Sequence, residues 1–192
     1  MLSVYFGKRG QVWYSIALNE DKKIIGSSFS LKARREAALS VFKKLPLNLP
    51  FTVKSEDQYV QKIFNAMSNI YEGVKPRFSS KISMDHLPSF TKRVLEAVMG
   101  IPHGFVSTYG GVASALAKKD AARAVGNAMA RNPFPLIVPC HRVVCSDLTL
   151  GGYGYGLKLK KLLLEREGVR FRNIGSSTVH VDSKHVYVPP QT

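Results

Sequence analysis

Cysteine is nearly absent: the 192-residue chain has 2, Cys140 and Cys145. Two cysteines so close together exclude the disulfide framework that staples small secreted domains. No Cys-x-x-Cys pair occurs, which argues against a cysteine-based zinc site. Acidic residues are scarce as well, with 13 Asp and Glu against 28 Lys and Arg and a formal net charge of +15. No apolar run approaches the roughly 20 residues of a membrane span. The start, Met1-Leu-Ser-Val-Tyr-Phe-Gly-Lys8, lacks the charged region and apolar core of a secretory signal. These absences predict a reducing, cytoplasmic setting, nucleoid-associated or nuclear in a eukaryote, where a free thiol stays available. They predict no membrane, no metal and no cofactor.

The positive charge is evenly spread. Residues 1–88 hold 14 basic and 7 acidic residues, and residues 89–192 hold 14 and 6. A basic body, as opposed to a basic tail, favours a polyanionic partner through counterion release. The plainer alternative is a solubility surface. Apolar residues make up 45% of the chain, enough for a packed core.

Ser3–Gly7, Gln11–Leu18 and Lys23–Phe29 read as strands, rich in Val, Ile, Tyr and Phe. Helices are expected over 31–45 and from Asp57 to about Glu72. The first carries Ala37, Ala38, Val41 and Phe42 as its apolar stripe. The second buries Val60, Ile63, Phe64, Met67, Ile70 and Tyr71, and Gly73 caps it. Leu45-Pro-Leu-Asn-Leu-Pro50 ends the first helix, and 74–88 reads as a strand plus connector with Pro76 and Pro88. The aromatics Tyr5, Phe6, Trp13 and Tyr14 read as core. The second half changes character. Ser89 is placed to cap a helix over Phe90–Met99 that buries Val94, Leu95 and Val98. Val106–Gly111 reads as a turn, with Ser107 or Thr108 capping a short helix to Ala117. A tight turn at Lys118–Asp120 leads to a longer helix running from Asp120 to Arg131, a helix-turn-helix arrangement. Asp120 suits the positive end of that helix. Leu157–Glu167 forms a last helix with Leu159, Leu162 and Leu163 buried, stopped by Gly168. The expected domains are 1–85 (support), 86–172 (active) and 173–192 (a tail or strand).

Within the longer helix, Arg123, Asn127 and Arg131 recur at i, i+4 and i+8 and form one stripe. Ala121, Ala122, Ala124 and Gly126 flank it and allow close approach to a duplex. Such a face reads sequence poorly, because base readout needs long polar side chains. It suits binding to DNA of any sequence. A surface ion pair of Arg123 on an ordinary packed helix is the bland alternative.

Downstream lies Asn132-Pro-Phe-Pro-Leu-Ile-Val-Pro-Cys-His-Arg-Val-Val144. Pro133, Pro135 and Pro139 make it a stiff connector that ends by aiming a thiol. A cysteine nucleophile works as thiolate and needs a base or a positive charge nearby. His141 and Arg142 follow Cys140 directly. Adjacent side chains diverge, so a bridging water is the plausible link between Cys140 and His141. A buried histidine base also needs an orienting carboxylate. Glu96, Asp120, Asp147, Glu165 and Glu167 are all candidates, and pattern alone selects none. Cys145, flanked by no base, reads as a small hydrophobe.

Pro139-Cys-His-Arg-Val143 resembles the active-site signature of O6-alkylguanine-DNA alkyltransferases, also called methylated-DNA–protein-cysteine methyltransferases. The resemblance runs from about Thr91 to Gly168. It includes Tyr109, Arg-Ala-Val-Gly at 123–126, Asn132-Pro, Cys145, the Gly-Tyr turn at 151–156 and Leu-Glu-x-Glu-Gly at 164–168. It implies an α+β fold, with a strand-rich, RNase H-like N-terminal α/β domain and a helical, winged-helix-like C-terminal domain. Cys140 would accept the alkyl group, with His141 and Glu167 completing its activating relay. Tyr109 would donate a proton toward guanine N3, and Arg123 would fill the gap left by the flipped nucleotide. Asn132 would brace the turn between helix and cysteine. Val143, Tyr153, Gly154 and Tyr155 would line the base pocket. Many relatives have Ser and Gly where this chain has Gly154 and Tyr155, so a narrowed or reshaped pocket is expected. The implied partner is duplex DNA carrying O6-alkylguanine, with O4-alkylthymine as a second lesion. The protein would act as a monomer, with cooperativity on DNA left open. A non-catalytic lesion sensor, a helix-turn-helix regulator and a cysteine hydrolase are the competing readings. The acceptor thiol, the alanine-faced helix and the basic charge, respectively, speak against them.

Overall fold

Three antiparallel strands open the chain: β1 (Leu2–Arg9), β2 (Val12–Leu18) and β3 (Ile24–Ser30). The computed structural model describes residues 1–46, 49–75, 80–174 and 178–190. Expectations touching 47–48, 76–79 (including Pro76 of the connector), 175–177 and 191–192 lie outside the described residues. Gly10, at φ 55°, makes the turn that pairs Arg9 with Val12. A strand not foreseen, β4 (Phe51–Val53), runs parallel to β1 and completes the order β3-β2-β1-β4.

Strand alternation gives this sheet two apolar faces. Helix α1 (Arg34–Phe42) packs against one, with Val41 among Leu2, Val4, Ala17 and Ile25. It is shorter than the expected 31–45, and only Ala37 and Val41 of the proposed stripe are fully buried. Helix α2 (Gln58–Tyr71) covers the other face, with Phe64 6.2 Å from Tyr14 and Tyr71 6.2 Å from Phe29 between ring centroids. Its six buried residues are the six that the 3.6-residue period selects, each worth about 2 kcal/mol of burial.

The chain divides into two compact units. The first comprises 1–71, 76–87 and 133–137, and the second 72–75, 88–132 and 138–192. Part of the proline-rich stretch thus belongs to the first unit. There Pro133 and Pro135 offer carbonyls to the Ser27 amide and hydroxyl at 2.7 and 3.3 Å.

The second unit holds α3 (Ser89–Met99), β5 (Ser107–Thr108), α4 (Tyr109–Ala115), α5 (Ala122–Ala130), β6 (Val143–Val144), α6 (Leu157–Arg166), β7 (Phe171–Ile174) and β8 (Thr178–Val181). Several details differ from the sequence expectation. Ser89 lies inside α3, whose cap is Pro88. Val106–Thr108 is not a turn: its last two residues pair in parallel with β6. Thr108 caps α4, its hydroxyl accepting from the Gly111 amide at 2.9 Å. The helix α5 starts at Ala122, so Asp120 precedes the cap residue Ala121 and sits outside the first turn. On α6, Leu162 is exposed and Lys160 is buried in its place. The segment after Phe171 is a β-hairpin, β7 against β8. The α+β architecture is the one expected. Among the described residues, no helix is long and apolar enough to cross a membrane.

Candidate active site

Pro139 sets the approach to the thiol. At φ −79° and ψ 61° it occupies the centre of an inverse γ-turn, closed by the Cys140 amide donating to the Val138 carbonyl at 2.8 Å. The buried Asn132 amide donates to the same carbonyl at 3.2 Å, tying the end of α5 to the cysteine turn. Cys140 then opens a short 3-10 turn, Cys140–Arg142, that leads into β6. Cys140 itself is partly buried.

His141 is fully buried, with Nε2 2.9 Å from Glu167 Oε1. Of the five candidate carboxylates, Glu167 is therefore the one that meets the imidazole. Arg142 binds the same carboxylate through Nε and Nη2 at 2.8 and 2.9 Å, and gives Nη1 to the Ile101 carbonyl at 2.8 Å. Burial alone would raise the pKa of Glu167. The hydrogen bonds and charges of His141 and Arg142 outweigh it and hold the carboxyl down to about 2. Burial lowers the pKa of His141, Glu167 opposes that, and Arg142 and Lys160 reinforce it. The pair is thus an ionised carboxylate and a neutral ring. A carboxylate only accepts, so Nε2 carries the hydrogen and Nδ1 the lone pair. That Nδ1 is buried with no hydrogen-bond partner among the described residues.

The β5–β6 pairing, Ser107 with Val143 and Thr108 with Val144, brings the start of α4 beside the cysteine segment. Tyr109 follows β5 directly. Its hydroxyl donates a long 3.5 Å bond to the Gly152 carbonyl. Burial first, then the thiols of Cys145 and Cys140, raise its pKa, so it stays protonated at neutral pH. Cys145, read from sequence as a small hydrophobe, is a partly buried free thiol packed near Tyr109 and Gly151. A Cβ placed on Gly151 would lie 2.8 Å from its sulfur and 3.2 Å from the Tyr109 ring, so sulfur, ring and glycine share one small space. Val143 is fully buried in β6. Tyr153 and Tyr155 stand with ring centroids 5.7 Å apart, and Gly154 between them is exposed. The Tyr153 hydroxyl is buried, without a partner among the described residues, and burial pushes its pKa well up.

Lys160 is the residue that sequence reasoning missed. Its side chain is wholly buried, and Nζ donates to the carbonyls of Val143, Leu150 and Gly152 at 2.6, 2.5 and 3.3 Å. Burial lowers its pKa to about 8, opposed by Cys140 and Cys145. Three acceptors need three N–H groups, which only the ammonium form supplies. The one signal in sequence is its position on α6, one residue after the buried Leu159 and three before the buried Leu163.

On α5, Val125, Ala128 and Met129 face inward. Arg123, Ala124, Asn127 and Arg131 are exposed, and Ala121, Ala122 and Gly126 are half-buried beside them. Arg123 has no ion pair among the described residues.

Cys140 is followed directly by a buried histidine held by a carboxylate. The profile described as "6-O-methylguanine DNA methyltransferase, DNA binding domain" matches residues 89–169. A methylated-DNA–protein-cysteine methyltransferase of Candida glabrata is 31% identical over 166 residues, 84% of this chain and 77% of the relative. One from Thermococcus kodakarensis is 35% identical over 176 residues, 88% of this chain and 98% of the relative. The crystal structure of O6-methylguanine-DNA methyltransferase from the archaeon Pyrococcus kodakaraensis KOD1 superposes with a TM-score of 0.65 at 33% identity, covering 88% of this chain and all of that one. The chain belongs to the methylated-DNA–protein-cysteine methyltransferase family.

Proposed function

We propose that this protein repairs DNA by direct reversal: it takes the alkyl group from O6 of an extruded guanine onto Cys140, once per molecule. The observation that carries this is the buried His141–Glu167 pair, with the Nδ1 lone pair, which has no partner among the described residues, one residue from the thiol. Cys140 gives its proton, through a bridging water, toward Nδ1, and Glu167 stabilises the imidazolium that forms. The thiolate attacks the alkyl carbon. A carbon–sulfur bond forms, the carbon–O6 bond breaks, and its electron pair passes into the guanine ring. Tyr109 delivers a proton to N3 as guanine leaves and is restored by the proton released from the thiol, so the balance closes. The product thioether has no route to hydrolysis at this site, which makes the reaction stoichiometric.

The base must leave the stack to reach a thiol, at a cost of a few kcal/mol. The exposed α5 face, with its small residues and an Arg123 that has no ion pair among the described residues, supports the reading that this helix lies against the duplex and Arg123 takes the vacated place. Asn132 braces the turn, and Val143, Tyr153, Gly154 and Tyr155 surround the base. The partner is double-stranded DNA containing O6-alkylguanine, with O4-alkylthymine as a second lesion, bound by a monomer.

Incubation with a duplex carrying one O6-methylguanine should return unmodified guanine at that position. Recovery of the lesion intact rejects the proposal. Arg123→Ala should slow reaction with duplex roughly tenfold, about 1.4 kcal/mol, and leave reaction with free O6-benzylguanine base unchanged. Equal losses on both remove the extrusion role. Tyr109→Phe should slow transfer roughly 100-fold with DNA affinity retained, and an unchanged rate discards proton donation.

A further inference from the structure

The C-terminal segment lies beyond the region that the family profile matches, which ends at residue 169. It nonetheless crosses both chain segments that meet at the site. On one side, the Val181 amide donates to the Leu148 carbonyl at 2.9 Å, His180 Nδ1 donates to the Asp147 carbonyl at 2.8 Å, and Thr149 bridges His180. On the other, Val106, the residue before β5, bridges Val186: its amide donates to the His185 carbonyl at 2.8 Å and its carbonyl accepts from the Tyr187 amide at 2.7 Å. The His185 ring also holds the end of this segment. The Arg170 amide donates to Nε2 at 3.2 Å, which leaves Nδ1 to donate to the Gly104 carbonyl at 2.8 Å.

The loop held in this way is strained. Leu148 stands at φ 67°, a left-handed conformation that a branched side chain adopts only when its surroundings enforce it. Leu148 and Leu150 pack against a buried cluster of Val106, Val144, Leu164, Val169 and Val181, so the segment supplies apolar contact as well as hydrogen bonds. The loop carbonyls of 147 and 148 are taken by the C-terminal segment, and those of 150 and 152 by Lys160. Gly152 is also the acceptor for Tyr109.

We propose that Thr178–Tyr187 is a strap that fixes the spacing between β5, which leads into Tyr109 at the start of α4, and the 151–155 loop, and so limits the size of alkyl group accepted. His180 is its positioning residue on the loop side. This rests on the reading of that loop as the wall of the base site. Loosening the strap widens the site and favours bulky groups over methyl.

The test compares duplexes carrying O6-methylguanine and O6-benzylguanine, together with amide hydrogen exchange over 145–152. In His180→Ala, the benzyl-to-methyl rate ratio should rise roughly fivefold, the effect of one hydrogen bond, and exchange should accelerate. His180→Asn, whose side-chain amide can donate from the position of Nδ1, should restore both. An unchanged ratio or unchanged exchange in His180→Ala overturns the strap. If the unaltered protein transfers neither group, the repair reading fails, and the exchange comparison alone decides the strap.

Discussion

Replacing Glu167 by glutamine should slow alkyl transfer by a factor on the order of 1,000 to 10,000, the scale seen when a triad loses its orienting carboxylate. The amide has one acceptor oxygen for three N–H groups: Nε2 of His141 and two from Arg142. It also presents a donor that can face either of them. His141 then loses both its fixed tautomer and the charge that stabilises its protonated form. The same change costs stability, because it strands the buried Arg142 guanidinium, and removing one partner of a buried pair typically costs about 3 to 5 kcal/mol. The pH dependence gives the sign. Glu167 has a folded pKa of about 2 against an ordinary 4.5. Its contribution is fully present above pH 4.5 and is lost as pH falls toward 2, about 3 kcal/mol in all. His141, depressed by burial, acts in the same direction below its ordinary 6.5. The Glu167→Gln protein should therefore be less stable at pH 7 and show a flatter acid limb in denaturant titrations at several pH values. A limb as steep as that of the unaltered protein would mean that the pair does not carry the effect.

Lys160→Met should be nearly as damaging, although Lys160 lies outside the proposed relay. Methionine fills the space but supplies no donor, and the carbonyls of Val143, Leu150 and Gly152 lose a shared partner. Carbonyls left unsatisfied in this way cost about 3 kcal/mol together, or roughly 10 °C in melting midpoint for a chain of this size. Transfer should slow as well, because Gly152 is the contact of the Tyr109 hydroxyl. Thermal melts and single-turnover rates check both parts. An unchanged midpoint would show that water replaces the ammonium at no cost.

These two residues also show what a sequence reveals and what it hides. The helix α2 was readable because its six buried side chains follow one period. The arginine stripe on α5 was readable for the same reason. Glu167 and His141 are 26 positions apart, and only the packing of α6 against the cysteine turn brings them together. Pattern offers five carboxylates with no means of choosing; the family resemblance points to Glu167, and the structure places it 2.9 Å from the His141 ring. Lys160 sits in Leu157-Lys-Leu-Lys-Lys161, where a lysine reads as solvent face. Its burial depends on three backbone carbonyls from distant segments, which leave no trace in local composition. The three residues of β4 are too few for alternation to register, and Ser89 reads as a cap by residue type although Pro88, with φ −55° and ψ 143°, occupies that position. The C-terminal segment reads as either strand or tail, because beyond the β7–β8 pairing its contacts lie far off in sequence, at 106 and 147–149.

The central claim is that the alkyl group ends on one sulfur. Duplex DNA with a labelled O6-methylguanine, mixed with an excess of lesion over protein, tests it directly by mass spectrometry of the digested chain. The account predicts label on Cys140 alone, at no more than one per molecule, and none on the Cys140→Ala protein. Sustained turnover, or transfer that survives Cys140→Ala, would contradict it.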